Sequence, residues 1–379
     1  MLAQCRRLLH CSPMDHQGRQ ARLRNELGRS RLDGLLVTHL PNIRYLCGFS
    51  GSSGALLISE GKSVFFTDGR YTTQAKAEVQ GARVVIRRKA AALAAAEWMK
   101  ANRTSLGGKR PGRLGIEAQH LTVAACNQLA QALASNFRLR EAPPLVESAR
   151  MVKDAEEIER VRAAVLLGAG LFDCALKAIR PGAKEVEVAA EMEYQARRAG
   201  ADQMSFETII ASGERSALPH GRASDAPIPA TGFVVCDFGV ILAGYCSDMT
   251  RTVHVGRPPN EARRIYEAVR EAQQAAVAAV RPGVSVGEVD GVARKLFQYN
   301  KLGRYFTHST GHGVGLEIHE APRVAAGQTE TLCPGMVITI EPGVYIPGKW
   351  GVRIEDMVVV TEQGCEALTP TSKELIAIA

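Results

Sequence analysis

The stretch Phe233-Val-Val-Cys-Asp-Phe-Gly-Val-Ile-Leu-Ala-Gly-Tyr-Cys-Ser-Asp-Met-Thr-Arg-Thr-Val253 decides how the second half of this chain is read. It consists of two apolar, β-rich runs, each interrupted by an aspartate, Asp237 and Asp248. A turn around Ile241–Gly244 would fold the runs into a hairpin. Side chains alternate along a strand, so Val235, Asp237 and Gly239 share one face, and Cys246, Asp248 and Thr250 share one face of the returning strand. If the two faces coincide, the carboxylates stand together on an apolar-flanked surface, where each opposes ionisation of the other. One edge-exposed Asp per strand would avoid that conflict. Two acids in one hairpin point instead to a cation site.

The same device recurs downstream. Glu341 follows Met336-Val-Ile-Thr-Ile340, and Glu355 lies within the β-rich run Gly351-Val-Arg-Ile-Glu-Asp-Met-Val-Val-Val360. Taken singly, Glu341 could be a strand-end residue before the Pro342-Gly343 turn, and Glu355 could pair with Arg353 on its own face. Upstream of both is His308-Ser-Thr-Gly-His-Gly-Val-Gly-Leu-Glu-Ile-His319, three histidines within twelve residues. Gly303, Gly311, Gly313 and Gly315 make this backbone loop or bulge, where a ligand can approach closely. Such a cluster favours a metal or catalytic site over a lone structural histidine. The helical HExxH pattern is absent. His220, in the turn-like Ala217-Leu-Pro-His-Gly-Arg222, is weak evidence by itself.

Helices frame these runs. Asp154, with Glu157 three residues on, caps a predicted helix ending at Ile179, and Arg180-Pro-Gly182 stops it. A second helix follows over Glu185–Arg198. The arrangement repeats as Glu261–Val280, Arg281-Pro-Gly283 and Glu288–Tyr299, which hints at a duplicated scaffold. The second half therefore reads as α+β, helices on a largely antiparallel sheet. The first half alternates instead. Helices are expected over 17–32, 71–79, 90–102 and 121–133, and strands over 34–38, 55–59, 63–67, 83–86 and 113–117, an α/β layer domain. Pro143-Pro144 marks the change. The expected domains are 17–145 and 146–379, with 1–16 a disordered extension.

Composition narrows the function. Residues 1–150 carry 23 Lys and Arg against 10 Asp and Glu, the remainder 24 against 29. The arginines of the basic half are dispersed, without a dense run or interleaved aromatics, so a solvated cationic face is expected rather than a nucleic-acid surface. Nine widely spread cysteines with no CxxC pair argue against a cysteine-ligated zinc module or a disulfide framework. No apolar run approaches the roughly 18 residues of a membrane span, and no secretory signal is evident. A soluble, cytoplasmic protein is expected.

Taken together, SALPHGRASD (216–225), VVCDFGVILAGYCSDMTRT (234–252), HSTGHGVGLEIHE (308–320), ITIEPGVYIPG (338–348) and GVRIEDMVVVT (351–361) resemble the pita-bread-fold dinuclear metallopeptidases. That group contains Xaa-Pro aminopeptidases, prolidases, methionyl aminopeptidases and creatinase. LPNIRYLCGFSGSSGALLI (40–58) is similar to the N-terminal domain of its larger members, and the resemblance covers roughly 18–379. It implies a creatinase-like N-terminal domain before a pita-bread catalytic domain, and two divalent cations held by Asp237, Asp248, His312, Glu341 and Glu355. Asp237 and Asp248 would hold one cation, Asp248 and Glu355 would bridge to the second, and His312 with Glu341 would complete its shell. Oxygen-rich ligation with one imidazole suits Mn²⁺ or Co²⁺ better than structural Zn²⁺.

By the same resemblance Glu341 is the general acid/base, and His319 and His220 stabilise the reacting amide. His308 contacts the proline side, and Arg353 and Tyr345 orient ligand carboxylates and help bind substrate. The implied reaction is hydrolysis of the bond before proline. Xaa-Pro aminopeptidase is the reading favoured, with the dipeptide-specific prolidase as the alternative. A non-catalytic binding relative would be expected to have lost ligands that this chain keeps. The implied partners are proline-containing peptides and a second copy of the chain. Met1–Pro13 matches nothing in the family pattern, and translation is expected to begin at Met14.

Overall fold

The computed structural model describes residues 14–102 and 112–379. The expectations for Met1–Pro13 lie outside the described residues. The chain divides into two compact units, the boundary falling between Arg150 and Met151.

The first unit is built on six strands, β1 (Gly34–Val37), β2 (Ala55–Ser59), β3 (Ser63–Thr67), β4 (Arg83–Ile86), β5 (Gly112–Ile116) and β6 (Phe137–Glu141). Their order in the sheet is β4-β3-β2-β1-β5-β6, parallel except where β2 meets β1 and β3. Every residue of β1, β2 and β3 is buried, which is why these runs lack alternation. Among the described residues, six helices accompany the sheet: α1 (His16–Arg29), α2 (Leu40–Cys47), α3 (Thr72–Glu78), α4 (Ala91–Ala101), α5 (Val123–Leu133) and α6 (Leu145–Met151). Asp15 caps α1 through Gly18 N, and His16 is buried, so the expected extension does not reach this far. The sequence reading omitted α2, α6 and β6. Helix α2 nevertheless carries a proline in its first turn and ends on Gly48 at φ 84°, the usual start and stop signals.

The second unit carries two helix pairs, α7 (Ala155–Ala178) with α8 (Glu185–Ala199), and α9 (Asn260–Ala279) with α10 (Val286–Tyr299). Asp154 and Glu157 form the predicted capping box of α7. The two links between helices are built alike. Gly182 and Gly283 both sit at φ 83°, where L side chains are strained. Gly182 N donates to Ile228 O while Ile228 N donates to Ala183 O; Gly283 N donates to Leu332 O while Leu332 N donates to Val284 O. The repeat seen in sequence is therefore a repeat of hydrogen bonds.

Each pair covers its own core. Ala164, Leu167, Phe172 and Met192 pack with Val234, Cys236 and Phe238; Tyr266, Val269, Val289 and Phe297 pack with Phe233, Ile338, Ile340 and Val358. The strands between are β7 (Gln203–Met204), β8 (Ile209–Ser212), β9 (Gly232–Phe238), β10 (Val240–Leu242), β11 (Tyr245–Cys246) and β12 (Met249–Val255). They are followed by β13 (Gly311–Gly313), β14 (Glu320–Val324), β15 (Val337–Ile340), β16 (Gly343–Ile346), β17 (Trp350–Arg353), β18 (Asp356–Val360), β19 (Cys365–Ala367) and β20 (Ala377–Ile378). They form sheets ordered β20-β12-β9-β8, β14-β13-β15-β18-β19, β11-β10-β7 and β16-β17. All pairs are antiparallel except β12 with β20.

The turn at Ala243 and Gly244, both at positive φ, folds the run 232–255 into the expected hairpin: β10 with β11 (Ile241 opposite Cys246) and β9 with β12 (Phe238 opposite Met249) keep one register, and Gly239 only interrupts the ladder between them. One expectation needs correcting. The run 351–360 is two strands. β17 pairs with β16 and β18 with β15, and Glu355 lies in the break between them. Among the described residues, no helix is long and apolar enough to cross a membrane, and seven cysteines are free.

Candidate metal centre

Strand register brings the acids together. Asp237 on β9 faces Thr250 on β12, so Asp248, two residues before Thr250, projects to the same side. Thr250 Oγ1 donates to Glu355 Oε2 at 2.7 Å, and Glu355 N donates to Thr250 O at 3.1 Å, which ties the break after β17 to β12. Glu341 directly follows β15 and donates its backbone N–H to Thr310 O at 2.7 Å. His312 lies in β13, where the ladder to β14 shifts register. Thr339 Oγ1 accepts from His312 N at 3.0 Å and reaches Glu341 Oε1 at 3.4 Å. Gly311 is required here, since a Cβ on it would lie 1.9 Å from Thr339 O.

Ligand atoms of Asp248, His312 and Glu355 lie within 4.8 Å of one another. His312 Nε2 is 3.6 Å from Asp248 Oδ2 and 3.5 Å from Glu341 Oε1. Asp237 takes a different partner from its four neighbours. Its Oδ2 is 2.5 Å from Arg353 Nη2. The suggested Glu355–Arg353 pair is not formed; Arg353 turns to Asp237, to the Tyr345 hydroxyl, to Pro219 O and to Thr250 Oγ1. His308 Nε2 sits 3.0 Å from the Tyr345 hydroxyl.

Electrostatics sharpen the picture. Burial first, then Glu355, Asp237 and Glu341, hold the Asp248 carboxyl well above the usual range. Burial, followed by Glu341 and Asp237, does the same for Glu355. Glu341 is pushed up to about 8, mainly by burial. Burial lowers His312 and His308 to about 4 each, and lowers His319 as well. Arg353 opposes the rise at all three carboxyls, but it is itself bonded to Asp237 and offsets only part of it.

Divalent cations fit this arrangement. Asp237 Oδ1 and Glu355 Oε1 are buried without a hydrogen-bond partner, a costly state unless a cation meets them. His312 Nδ1 lies 3.0 Å from Gly313 O, which can only accept, so Nδ1 carries the proton. Its Nε2 then offers a lone pair toward two carboxylates, an arrangement that a cation reconciles.

The acids open on a cavity of about 760 Å³, into which His220, His308 and His319 also face. The His312 and His319 rings lie 4.4 Å apart. All ten residues singled out from sequence thus belong to this one region, Tyr345 through Arg353 and His308. Sequence reasoning put Thr250 on the face of Asp248 without giving it a role, and it missed Thr339, which also holds the ligands, and the cavity residues Phe206, Glu207, Ile318 and Arg323.

Comparison with known proteins gives the arrangement a lineage. Residues 159–362 match the model of metallopeptidase family M24, and 19–152 match the creatinase/prolidase N-terminal domain. An Xaa-Pro dipeptidase of Pyrococcus horikoshii is 38% identical over 92% of this chain and 96% of its own. The structure of an Xaa-Pro dipeptidase from Bacillus anthracis superposes with a TM-score of 0.90 at 40% identity, covering 96% of this chain and 100% of that one. That of an X-Pro aminopeptidase from Thermotoga maritima gives 0.86 at 35%, covering 95% and 100%. The architecture is the pita-bread fold behind a creatinase-type N-terminal domain, and the chain is a metal-dependent peptidase belonging to metallopeptidase family M24.

Proposed function

We propose that this chain is an Xaa-Pro dipeptidase, cleaving the bond between an N-terminal residue and a following proline. The sequence reading placed Xaa-Pro aminopeptidase first. Two relatives of 38% and 40% identity named dipeptidases support the alternative, against one aminopeptidase at 35%. The observation that carries the reading is the convergence of Asp248, His312 and Glu355 in a cavity of buried, only partly compensated carboxylates.

Asp237, Asp248, His312, Glu341 and Glu355 would hold two divalent cations. Mn²⁺ is the first choice for an oxygen-rich set with one imidazole, with Co²⁺ or Zn²⁺ as alternatives. When bound, such cations supply Lewis-acid polarisation of the scissile carbonyl and make water nucleophilic near neutral pH. Glu341 takes the proton from the attacking water and returns it to the proline nitrogen as the bond breaks. His319 and His220 would donate to the carbonyl oxygen as it gains charge. Arg353 fixes Asp237 in one rotamer, and Tyr345 links Arg353 to His308, which contacts the proline side of the substrate.

Rates on Ala-Pro and Ala-Pro-Ala with Mn²⁺ test the proposal. Hydrolysis of the dipeptide, with the tripeptide at least about tenfold slower in kcat/KM, is expected. Preference for the tripeptide would return the assignment to Xaa-Pro aminopeptidase. Asp248→Asn is expected to lose both cations and nearly all activity, and a fully active variant in chelator-treated buffer would overturn the metal assignment.

A further inference from the structure

Glu185 opens α8 and is wholly buried. A carboxylate in a first turn is ordinarily explained by its own helix, whose free N–H groups it faces. In α8 that place belongs to Glu187, which accepts from Lys184 N at 3.1 Å. Glu185 points elsewhere. Its Oε1 accepts from Ser212 N at 2.7 Å and Ser212 Oγ at 2.9 Å. Its Oε2 accepts from Arg215 Nε at 2.9 Å, Ser224 N at 3.2 Å and Ser224 Oγ at 2.8 Å.

Ser212 and Ser224 are the two ends of the segment that carries Pro219 and His220. One carboxylate therefore closes the loop, satisfying both end N–H groups. Arg215, held by Glu185, reaches across to Arg222 O at 2.8 Å and braces the loop a second time. Its tip meets the site, since Pro219 O accepts from Arg353 Nη1 at 3.1 Å and His220 lines the cavity. The second helix pair does the same for the other histidine loop. Asp290 on α10 accepts from Thr310 N and Oγ1, and Arg294, paired to Asp290, donates to His308 O at 2.7 Å.

We propose that Glu185 is a positioning residue that sets the spacing of Ser212 and Ser224 and thereby places His220 against the substrate. This rests on the reading of His220 as a substrate-facing group. A carboxylate is needed because two backbone N–H groups on opposite oxygens require acceptors; serine hydroxyls can reverse direction, but backbone donors cannot.

The test is Glu185→Gln, whose amide NH₂ must face one of those N–H groups. With cation content and circular dichroism unchanged, kcat/KM on an Xaa-Pro dipeptide is expected to fall about 10- to 100-fold, the loss lying mainly in kcat. Trypsin cleavage after Arg222 in the native enzyme should quicken at least about tenfold as the loop opens. Combined with His220→Ala, the variant should lose little beyond His220→Ala alone. Arg215→Met, which keeps the serine bonds, should show a smaller loss with the same non-additivity, and it serves if Glu185→Gln does not fold. A folded, metal-replete Glu185→Gln enzyme with kcat/KM within about twofold of the parent, or a loss fully multiplicative with His220→Ala, overturns the positioning role. If His220→Ala itself leaves kcat/KM unchanged, the reading of His220 falls and takes the proposal with it. Normal loss in His220→Ala beside an unaffected Glu185→Gln sinks the positioning role alone.

Discussion

Arg353 holds one oxygen of Asp237 at 2.5 Å while the other oxygen stays buried and unpartnered. The guanidinium fixes the carboxylate's rotamer and leaves a lone pair aimed where a cation can use it. Arg353→Lys keeps the charge but not the fork, so it should weaken cation affinity about 10- to 100-fold. Metal analysis after dialysis against graded chelator would check this. Unchanged retention of metal would remove Arg353 from the centre.

Stripping the cations exposes the acids' mutual repulsion. Glu341, Asp248 and Glu355 have folded-state pKa values above the roughly 4 of an unfolded carboxylate. The folded chain then binds protons that the unfolded chain has released, and stability falls as pH rises through that interval. His308 and His312 act oppositely. Lowered to about 4, they contribute stability above roughly 6.5 that is lost toward acid. The unfolded imidazoles are still half protonated near 6.5, so the carboxylates dominate the slope only from about one unit higher. The chelated protein should therefore lose Tm as the pH rises from about 7.5 through 8, and its gap from the Mn²⁺-loaded protein should widen over that range. A constant gap would argue that the carboxylates are not forced together.

Much of this site was readable before any coordinates. The period of two in β9 and around Asp248 placed two acids on one face, and the Arg-Pro-Gly links announced the duplicated helix pairs. What escaped reading depends on tertiary hydrogen bonds. Nothing in Gly351–Val360 signals a break at Glu355, because the break is made by Thr250 of another strand. Glu185 looks like any acid in a first helical turn, and Asp290 like half of an i,i+4 pair with Arg294. Their importance lies in loops far along the chain, which periodicity within a helix cannot reveal.

His319 and His312 meet edge to face at 4.4 Å, and it is His312 Nε2 that lies 3.6 Å from Asp248 and 3.5 Å from Glu341. His319→Ala should therefore lower kcat about 10²- to 10³-fold, the usual cost of a lost oxyanion donor, with metal content intact. Loss of metal in this variant would make His319 a ligand instead.

Arg251 is almost fully buried. It pairs with Asp356 at 2.7 Å and donates to the carbonyls of Thr250, Glu355, Thr371 and Ser372. It thus ties the backbone of Glu355 to the C-terminal segment, while Lys373 and Gln273 share Asp356. Arg251→Leu removes the buried donor to Glu355 O and one of the two countercharges of buried Asp356, leaving Lys373 as the other. A loss of about 3 kcal/mol in urea unfolding is expected, the low end of the range for breaking one side of a buried pair, because Lys373 still meets the anion. Pairing the change with Asp356→Asn should return part of that loss, because the buried anion leaves with its partner. Equal destabilisation in the single and double variants would mean that the carbonyls, not the charge pair, set the requirement for arginine.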